Sequence, residues 1–355
     1  AKFSFKEGVS FSGNFTTRYA TASSEKTGHI DLNIGQDEWA FLTSLSYTDF
    51  GDLVMGKYGP DDYLRPEYVA TVNGEDVLVT NKDPRNQVST GYSQINMMQK
   101  IRFMPSENLD FNLGLFYTTT SDYPRYDRLI REKNGQLKSA VWDYTPQEWI
   151  NGNFKITHKG SSFYDKSILT LSYQNFVEGR RDRDFGDAIL YETKEKVNAY
   201  TSALDFIKKF EKNKLFYGLE YVYNKVNSVG KQTNLDDGAT LETSPRYPDD
   251  SNWQSMAAYV SLQSKVAANL SLQLGLRYNH ILLYANYDNP FYDFPFVESD
   301  INTGALTGSV GFNWQASEIL GLRFNLSTAF RAPNIDDVGK IFDSEPGSVV
   351  LPNPD

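Results

Sequence analysis

Three features of the sequence predict an all-β fold, specifically a transmembrane antiparallel β-barrel. Apolar and polar residues alternate with period two, the alternating runs often reach 10 to 15 residues, and short connections alternate with long ones. The alternation is plainest in Leu270-Ser271-Leu272-Gln273-Leu274-Gly275-Leu276-Arg277-Tyr278, where even positions are large and apolar and odd ones are small or polar. In the same way Leu320, Leu322, Phe324, Leu326 and Phe330 oppose Gly321, Arg323, Asn325, Ser327 and Arg331. Val9, Phe11, Phe15 and Tyr19 oppose Ser10, Ser12, Asn14 and Arg18, and Leu109, Phe111, Leu113, Leu115 and Tyr117 oppose Asp110, Asn112 and Gly114.

Taken in order, the pattern predicts 13 strands, at 9–19, 27–35, 39–49, 90–103, 109–118, 148–158, 167–178, 197–210, 215–228, 252–266, 270–285, 304–315 and 320–331, and no helix. Short turns fall at 36–38, 105–108, 211–214, 267–269 and 316–318, with a longer one at 159–166. Long loops cover 50–89, 119–147, 179–196, 229–251 and 286–303. Soluble strands usually run about five or six residues, whereas a tilted strand crossing hydrocarbon needs about 9–11. Compact soluble domains also rarely carry several loops above about 12–15 residues, while bacterial barrels pair short periplasmic turns with long outer loops. The apolar face then meets lipid and the polar face lines the lumen. Strand parity assigns Arg18, Arg323 and Arg331 to the lumen, where a guanidinium suits carboxylated groups. Trp39, Tyr47, Tyr117, Trp149, Tyr173, Trp253 and Trp314 lie near strand ends, where interfacial girdles form.

Composition agrees and excludes other classes. Aromatic residues make up 14 % of the 355, with 23 Tyr and 23 Phe, which suits pleated, half-buried surfaces. No run of about 18 apolar residues exists, which excludes a membrane-spanning helix but not a barrel. Without cysteine there is neither a disulfide framework nor a thiol nucleophile. A net charge of −10 argues against nucleic acid as a partner. No metalloprotease His pair, phosphate loop or nucleophile elbow occurs, so no enzyme is predicted. The pairs Asp61-Asp62, Asp236-Asp237 and Asp249-Asp250 read as solvated loop charge rather than acid–base pairs. Lys208, Lys209, Lys212 and Lys214 surround a short turn at headgroup level, and the opening residues Ala1-Lys2-Phe3-Ser4-Phe5 read as folded-protein sequence without a signal peptide.

Two motifs near the end carry a family resemblance. Ser327-Thr328-Ala329-Phe330-Arg331-Ala332-Pro333-Asn334 closes the last strand, and Leu351-Pro352-Asn353-Pro354-Asp355 follows. Together they resemble the Phe-Arg-Ala-Pro and Asn-Pro-Asp-Leu boxes of TonB-dependent outer-membrane receptors. Asp122-Tyr123-Pro124-Arg125-Tyr126-Asp127-Arg128-Leu129, Glu178-Gly179-Arg180-Arg181-Asp182-Arg183-Asp184-Phe185 and Phe50-Gly51-Asp52-Leu53 resemble the haem and haemoglobin receptor branch. The resemblance implies a partial barrel domain over 1–355, from the first strand to the seventh extracellular loop of a plugged, about 22-stranded barrel, with the N-terminal plug not present. It implies active import across the Gram-negative outer membrane of haem, an iron–siderophore chelate, cobalamin or another scarce ligand. Partners would be outer-membrane lipid, TonB acting through the plug, and the ligand or a haem-carrying protein. No cofactor is implied. The ligand-binding residues carried over are Phe330, Arg331, Ala332, Pro333, Asn353, Pro354 and Asp355, with Arg125 and Tyr126. Haem receptors of this branch place an iron-ligating histidine between the two boxes, but residues 334–352 contain none; the three histidines are His29, His158 and His280. Tyrosine also ligates haem iron, and loop tyrosines include Tyr58, Tyr63, Tyr68, Tyr123, Tyr126 and Tyr144. Two other readings stand beside this one. A passive porin or adhesin barrel would have open conductance, and a lipid-modifying barrel enzyme would need an outward polar triad that the strand parities do not offer.

Overall fold

The computed structural model describes residues 8–288, 290, 291, 296–339, 342–345 and 348–350. Its main sheet is one antiparallel path of strands in sequence order. They are β1 (Val9–Ala20), β2 (Glu25–Gln36), β3 (Trp39–Phe50), β4 (Tyr92–Ser106), β5 (Leu109–Thr120), β6 (Ser139–Lys159), β7 (Lys166–Asp184), β8 (Ile189–Phe210), β9 (Asn213–Asn234), β10 (Ser251–Ala267), β11 (Leu270–Asn286), β12 (Glu298–Gln315) and β13 (Gly321–Ser327). Each strand of the predicted set overlaps one of these. Sequential hairpin pairing needs only short turns at one end, and Asp37 and Glu211 adopt the left-handed conformation that tight turns require.

Register sorts the side chains onto two faces. In the β10–β11 pair, Val260 lies opposite Leu276 and Ala258 opposite Tyr278 on the apolar face. Tyr259 lies opposite Arg277 and Ala257 opposite Asn279 on the polar face. The apolar side chains are left open: Leu276 is 54 % exposed and Leu306 67 %, as expected where lipid rather than protein covers them. On this outward face the rings of Trp39, Phe103, Phe111 and Phe154 form a row near the short turns, with neighbouring centroids 4.3, 6.0 and 6.2 Å apart. A second row, Tyr173–Tyr200–Tyr223, crosses β7 to β9 at 5.0 and 6.2 Å. Beyond it on the same face come Asn175, Asn198, Lys196 and Lys225, which end the apolar band.

The structure departs from the sequence reading in four places. First, β6 to β9 continue past the apolar band to lengths of 21, 19, 22 and 22 residues, so the loops predicted at 119–147, 179–196 and 229–251 are shorter. Above the hydrocarbon both faces meet water or protein, so the ladder continues while the alternation stops. Second, the loops have structure of their own. Residues Glu67–Val72 pair with Glu75–Thr80, and among the described residues there are two short α-helices, α1 (Tyr126–Leu129) and α2 (Ile335–Gly339), with a 3-10 turn at Asp61–Tyr63. Third, β13 ends at Ser327 rather than 331. Fourth, Trp149 and Trp253 are not girdle residues. Trp149 packs at a tilt against Phe116 on the polar face and donates to Gln174 Oε1 at 3.2 Å, and Trp253 sits beside Leu283 on that face.

The apolar core lies at the loop end of the polar, lumenal face, away from the membrane band. There Val226, Leu283, Ala285 and Tyr287 bury Ile335 and Val338 of α2.

Candidate functional site

The segment after β13 is placed by the wall it leans on. Thr328 N–H donates to Gly308 O at 2.9 Å, and Gly308 N–H donates to Thr328 Oγ1 at 2.8 Å, fixing the strand's exit. Six residues on, Asn334 and Asp337 cap each other. Asn334 Oδ1 accepts the Asp337 N–H and Asp337 Oδ2 accepts the Asn334 N–H, both at 3.0 Å. This reciprocal capping box starts α2. Burial of Ile335 and Val338 then seats the short helix against β9 and β11.

The Phe-Arg-Ala-Pro residues belong to this seat. Pro333 O accepts the Trp253 indole N–H at 3.2 Å, and Ala332 and Pro333 are half-buried. Phe330 is partly exposed. Strand parity stops at Ser327 and so does not reach Arg331. Its guanidinium is 81 % exposed and pairs with Asp337 within its own segment at 2.6 Å. Arg18 and Arg323 do lie on the lumenal face, Arg18 beside Glu25 at 3.4 Å. Asn353, Pro354 and Asp355 lie outside the described residues.

Two further bonds fasten α2. The Tyr247 hydroxyl donates to Asp336 Oδ1 at 2.6 Å, and the Tyr287 hydroxyl to Val338 O at 2.5 Å. Burial, and next the Asp336 carboxylate that the hydroxyl serves, push the Tyr247 pKa up to about 12. Tyr247 is therefore a neutral donor at any physiological pH. Behind α2 remains a hollow of about 370 Å³, bounded by Val197, Val226, Asn224, Tyr247 and Trp253 on the wall side.

Arg125 and Tyr126 stand at a second place on the rim. Arg125 opens α1, forks onto Asp127 at 2.9 and 2.6 Å, and lies over the rings of Trp142 (4.9 Å) and Tyr144 (5.7 Å). The Tyr126 hydroxyl donates to Tyr63 O at 3.1 Å, and the Arg65 guanidinium covers its ring at 5.4 Å. Burial raises the Tyr126 pKa against the pull of Arg65, which favours a neutral hydroxyl over an iron-binding tyrosinate. Both residues thus brace the loop. They do not touch the α2 segment directly. What connects the two places is Arg180, which contacts Glu178, reaches Glu195 at 3.3 Å and lies over Tyr144 at 5.2 Å. Glu195 in turn feels Arg246, whose Nε donates to the Tyr247 hydroxyl at 3.1 Å. A belt of arginine, tyrosine and carboxylate groups therefore runs along the inner rim from α1 to α2.

Sequence reasoning missed Glu195, Asn224, Tyr247 and Trp253. The lumenal parity of Asn224 and Trp253 was a usable signal; Glu195 and Tyr247, in predicted loops, gave none. The acidic pairs serve loop structure: Asp249 Oδ1 accepts Ser228 N–H at 2.9 Å, Asp250 holds Lys225 at 2.6 Å, and Asp237 Oδ1 accepts Ala239 N–H at 2.8 Å. Asp52 of the Phe-Gly-Asp-Leu motif accepts two backbone N–H groups, from Thr90 and Gly91, at the foot of its loop. His29 contacts Ser46 Oγ at 2.7 Å, His158 contacts the Tyr164 hydroxyl at 2.9 Å, and His280 stacks on Tyr278. Among the described residues no three His, Cys, Asp or Glu side chains come together to hold a metal.

The sequence pattern of the family described as "TonB dependent receptor-like, beta-barrel" matches residues 104–355. The chain belongs to this family. Among curated protein sequences nothing matches. Solved structures resemble its fold. The copper transporter OprC superposes with a TM-score of 0.72 at 10 % identity, over 95 % of this chain and 48 % of OprC. The Serratia marcescens haemophore receptor HasR, a double mutant solved with its haemophore HasA and haem, gives 0.67 at 15 % identity, over 98 % and 48 %. The FrpB iron transporter of Neisseria meningitidis gives 0.62 at 13 %, over 92 % and 46 %. The chain thus spans about half the length of these proteins.

Proposed function

We propose that this chain forms part of the wall of a TonB-dependent importer in the Gram-negative outer membrane, covering the first strand to the seventh outer loop. It takes up a scarce ligand, haem or an iron–siderophore chelate by preference, captured where the inner rim meets the α2 segment. The observation that carries the reading is the seat of the family's Phe-Arg-Ala-Pro segment on the lumenal wall, through Pro333–Trp253, Asp336–Tyr247 and the apolar contacts of α2. A segment seated there stands at the loop end of the lumenal face, which supports a ligand-facing role. Iron, haem and copper cargoes named for the structural relatives support a metal-bearing ligand for this chain as well. In this reading a plug domain fills the lumen, TonB pulls on it, and a haem-carrying protein or the free chelate docks on the loops. The chemistry is binding and release, with no covalent step.

The test is uptake of haem, ferric siderophores and cobalamin by cells expressing the full-length protein, with and without TonB. Uptake of one of these that needs TonB, and is lost when residues 328–339 are deleted, supports the proposal. Uptake indifferent to TonB, together with open conductance in planar bilayers, would mark a passive porin instead.

A further inference from the structure

The hollow behind α2 has an unusual wall. Its sides are Val197, Val226 and Ile335, two rings, Tyr247 and Trp253, face it, and the polar residues Asn224, Asn334 and Asp336 complete the lining. Both rings have already committed their donors, Tyr247 to Asp336 and Trp253 to Pro333 O. One polar atom is left over: Asn224 Oδ1 is buried and has no hydrogen-bond partner. Asn224 lies directly opposite Trp253 across the β9–β10 ladder, on the lumenal face, so its amide belongs to the same wall.

A buried carbonyl oxygen without a donor carries a desolvation cost that a partner would remove. Water is a poorer occupant, because an ordered buried water needs two to four polar partners, the exposed lining is mainly apolar, and Tyr247, Asp336 and Asn334 are already engaged in fastening and capping α2. The size also points to an organic group. An engineered protein cavity of about 150 Å³ holds benzene, and the space here is about 370 Å³. Ring walls favour a flat occupant, since aromatic faces and edges pack on one another at 4.5–7 Å.

We propose that this hollow is a subsite for a flat aromatic group bearing an O–H or N–H, the ring packing between Tyr247 and Trp253 and the donor serving Asn224 Oδ1. The inference rests on the reading of the rim as the capture site and narrows its ligand class. Chelates with phenol or catechol arms, or flat heteroaromatic N–H groups, fit; chelates made only of aliphatic hydroxamates and carboxylates do not.

The full-length protein in detergent micelles, titrated with 4-fluorophenol and with fluorobenzene and observed by ¹⁹F NMR, tests this directly. Both probes should bind saturably above protein-free micelles, 4-fluorophenol about 2- to 10-fold tighter, as one net hydrogen bond implies. Asn224→Leu should bring that ratio to about one while fluorobenzene binding persists. Val226→Phe or Val197→Phe, which fill the hollow without touching Asn224, should weaken both probes. Equal binding of the two probes by the unaltered protein, an unchanged ratio in Asn224→Leu, or binding unaffected by both filling variants would overturn the assignment. Absence of probe binding with TonB-dependent uptake intact would remove the subsite alone. Probe binding with TonB-independent uptake would remove the import reading alone.

Discussion

The same strands live two lives along their length. In the membrane band of β11, Leu274, Leu276 and Tyr278 face outward and exposed, while Arg277 turns inward to Glu220 at 2.7 Å and Asn279 at 2.6 Å. From position 281 upward the inward face changes character. Ile281, Leu283 and Ala285 are apolar and almost wholly buried, Leu283 being 1 % exposed. The backbone ladder does not change between the two regions. What changes is the cover of the inward face: polar partners around Arg277 give way to α2 over Leu283 and Ala285. Alternation therefore reports what lies on either side of a strand, and the strand itself continues without it.

Four perturbations sharpen that contrast. The largest effect is expected in the loop region, where Arg183 and Asp76, 5 % and 1 % exposed, pin the 67–80 hairpin to the end of β7. Arg183 forks onto both Asp76 oxygens at 2.6 and 2.7 Å, and Gly186 N–H adds a bond at 2.9 Å. Removing one partner of such a buried pair costs about 3–5 kcal/mol, so Arg183→Met should expose the hairpin to limited proteolysis while leaving the membrane band folded. The clasp is also acid-labile. Burial pushes the Asp76 carboxyl up, but the Arg183 fork, the Gly186 N–H and Thr71 outweigh it and hold it below the ordinary 3.8. A depressed carboxyl contributes stability above its unfolded pKa and loses it as pH falls through the folded one. Proteolysis of the hairpin should therefore rise only below about pH 4.

The membrane band is probed by the face chosen. Leu276→Arg on the outward face should destabilise by about 2–4 kcal/mol, whereas Thr201→Arg on the lumenal face should stay within about 0.5 kcal/mol, both read by urea unfolding in lipid vesicles. Equal costs would contradict the face assignment. A smaller effect concerns Glu195, whose carboxyl burial pushes above the ordinary 4.5, with Arg180 only partly offsetting it. A raised carboxyl binds its proton more tightly when folded, so its contribution is greatest below the unfolded pKa and declines as pH rises. Glu195→Gln should abolish that decline, seen as an unfolding midpoint flatter in pH from 4 to 7. The smallest effect belongs to Arg331→Ala, which removes an exposed pair worth about 0–1 kcal/mol. It should leave stability nearly unchanged and so isolate any loss of ligand binding.

The membrane band was legible in the sequence because Leu274, Leu276 and Tyr278 are constrained by lipid on one side and by polar partners on the other. The succession of strands followed from the same constraint, whereas β13 ends at Ser327, short of the 331 that the pattern predicts. The outer parts of β6 to β9 were not legible, since residues such as Arg180, Arg183 and Ser228 answer to partners distant in sequence. The candidate site was half visible. Phe330 to Pro333 were found by motif, but their role as a seat depends on Trp253, which the sequence presents as one more aromatic near a strand end. Arg125 and Tyr126 were found too, yet Asp127, Trp142 and Tyr63 occupy them with structural work. The apolar cover over Leu283 could not be foreseen, because Ile335 and Val338 lie about 50 residues away in a stretch with no period of its own.

The chain has no cysteine, so single spin labels can be placed at each position of β11 from 272 to 286. Collision rates with oxygen and with a water-soluble nickel chelate, measured in vesicles, test the central claim. Oxygen should dominate at 274, 276 and 278, the nickel chelate at 277 and 279, and neither reagent should reach 281, 283 and 285. Nickel access continuing through 281, 283 and 285 would mean that α2 does not cover this wall, and the account of the site would fail with it.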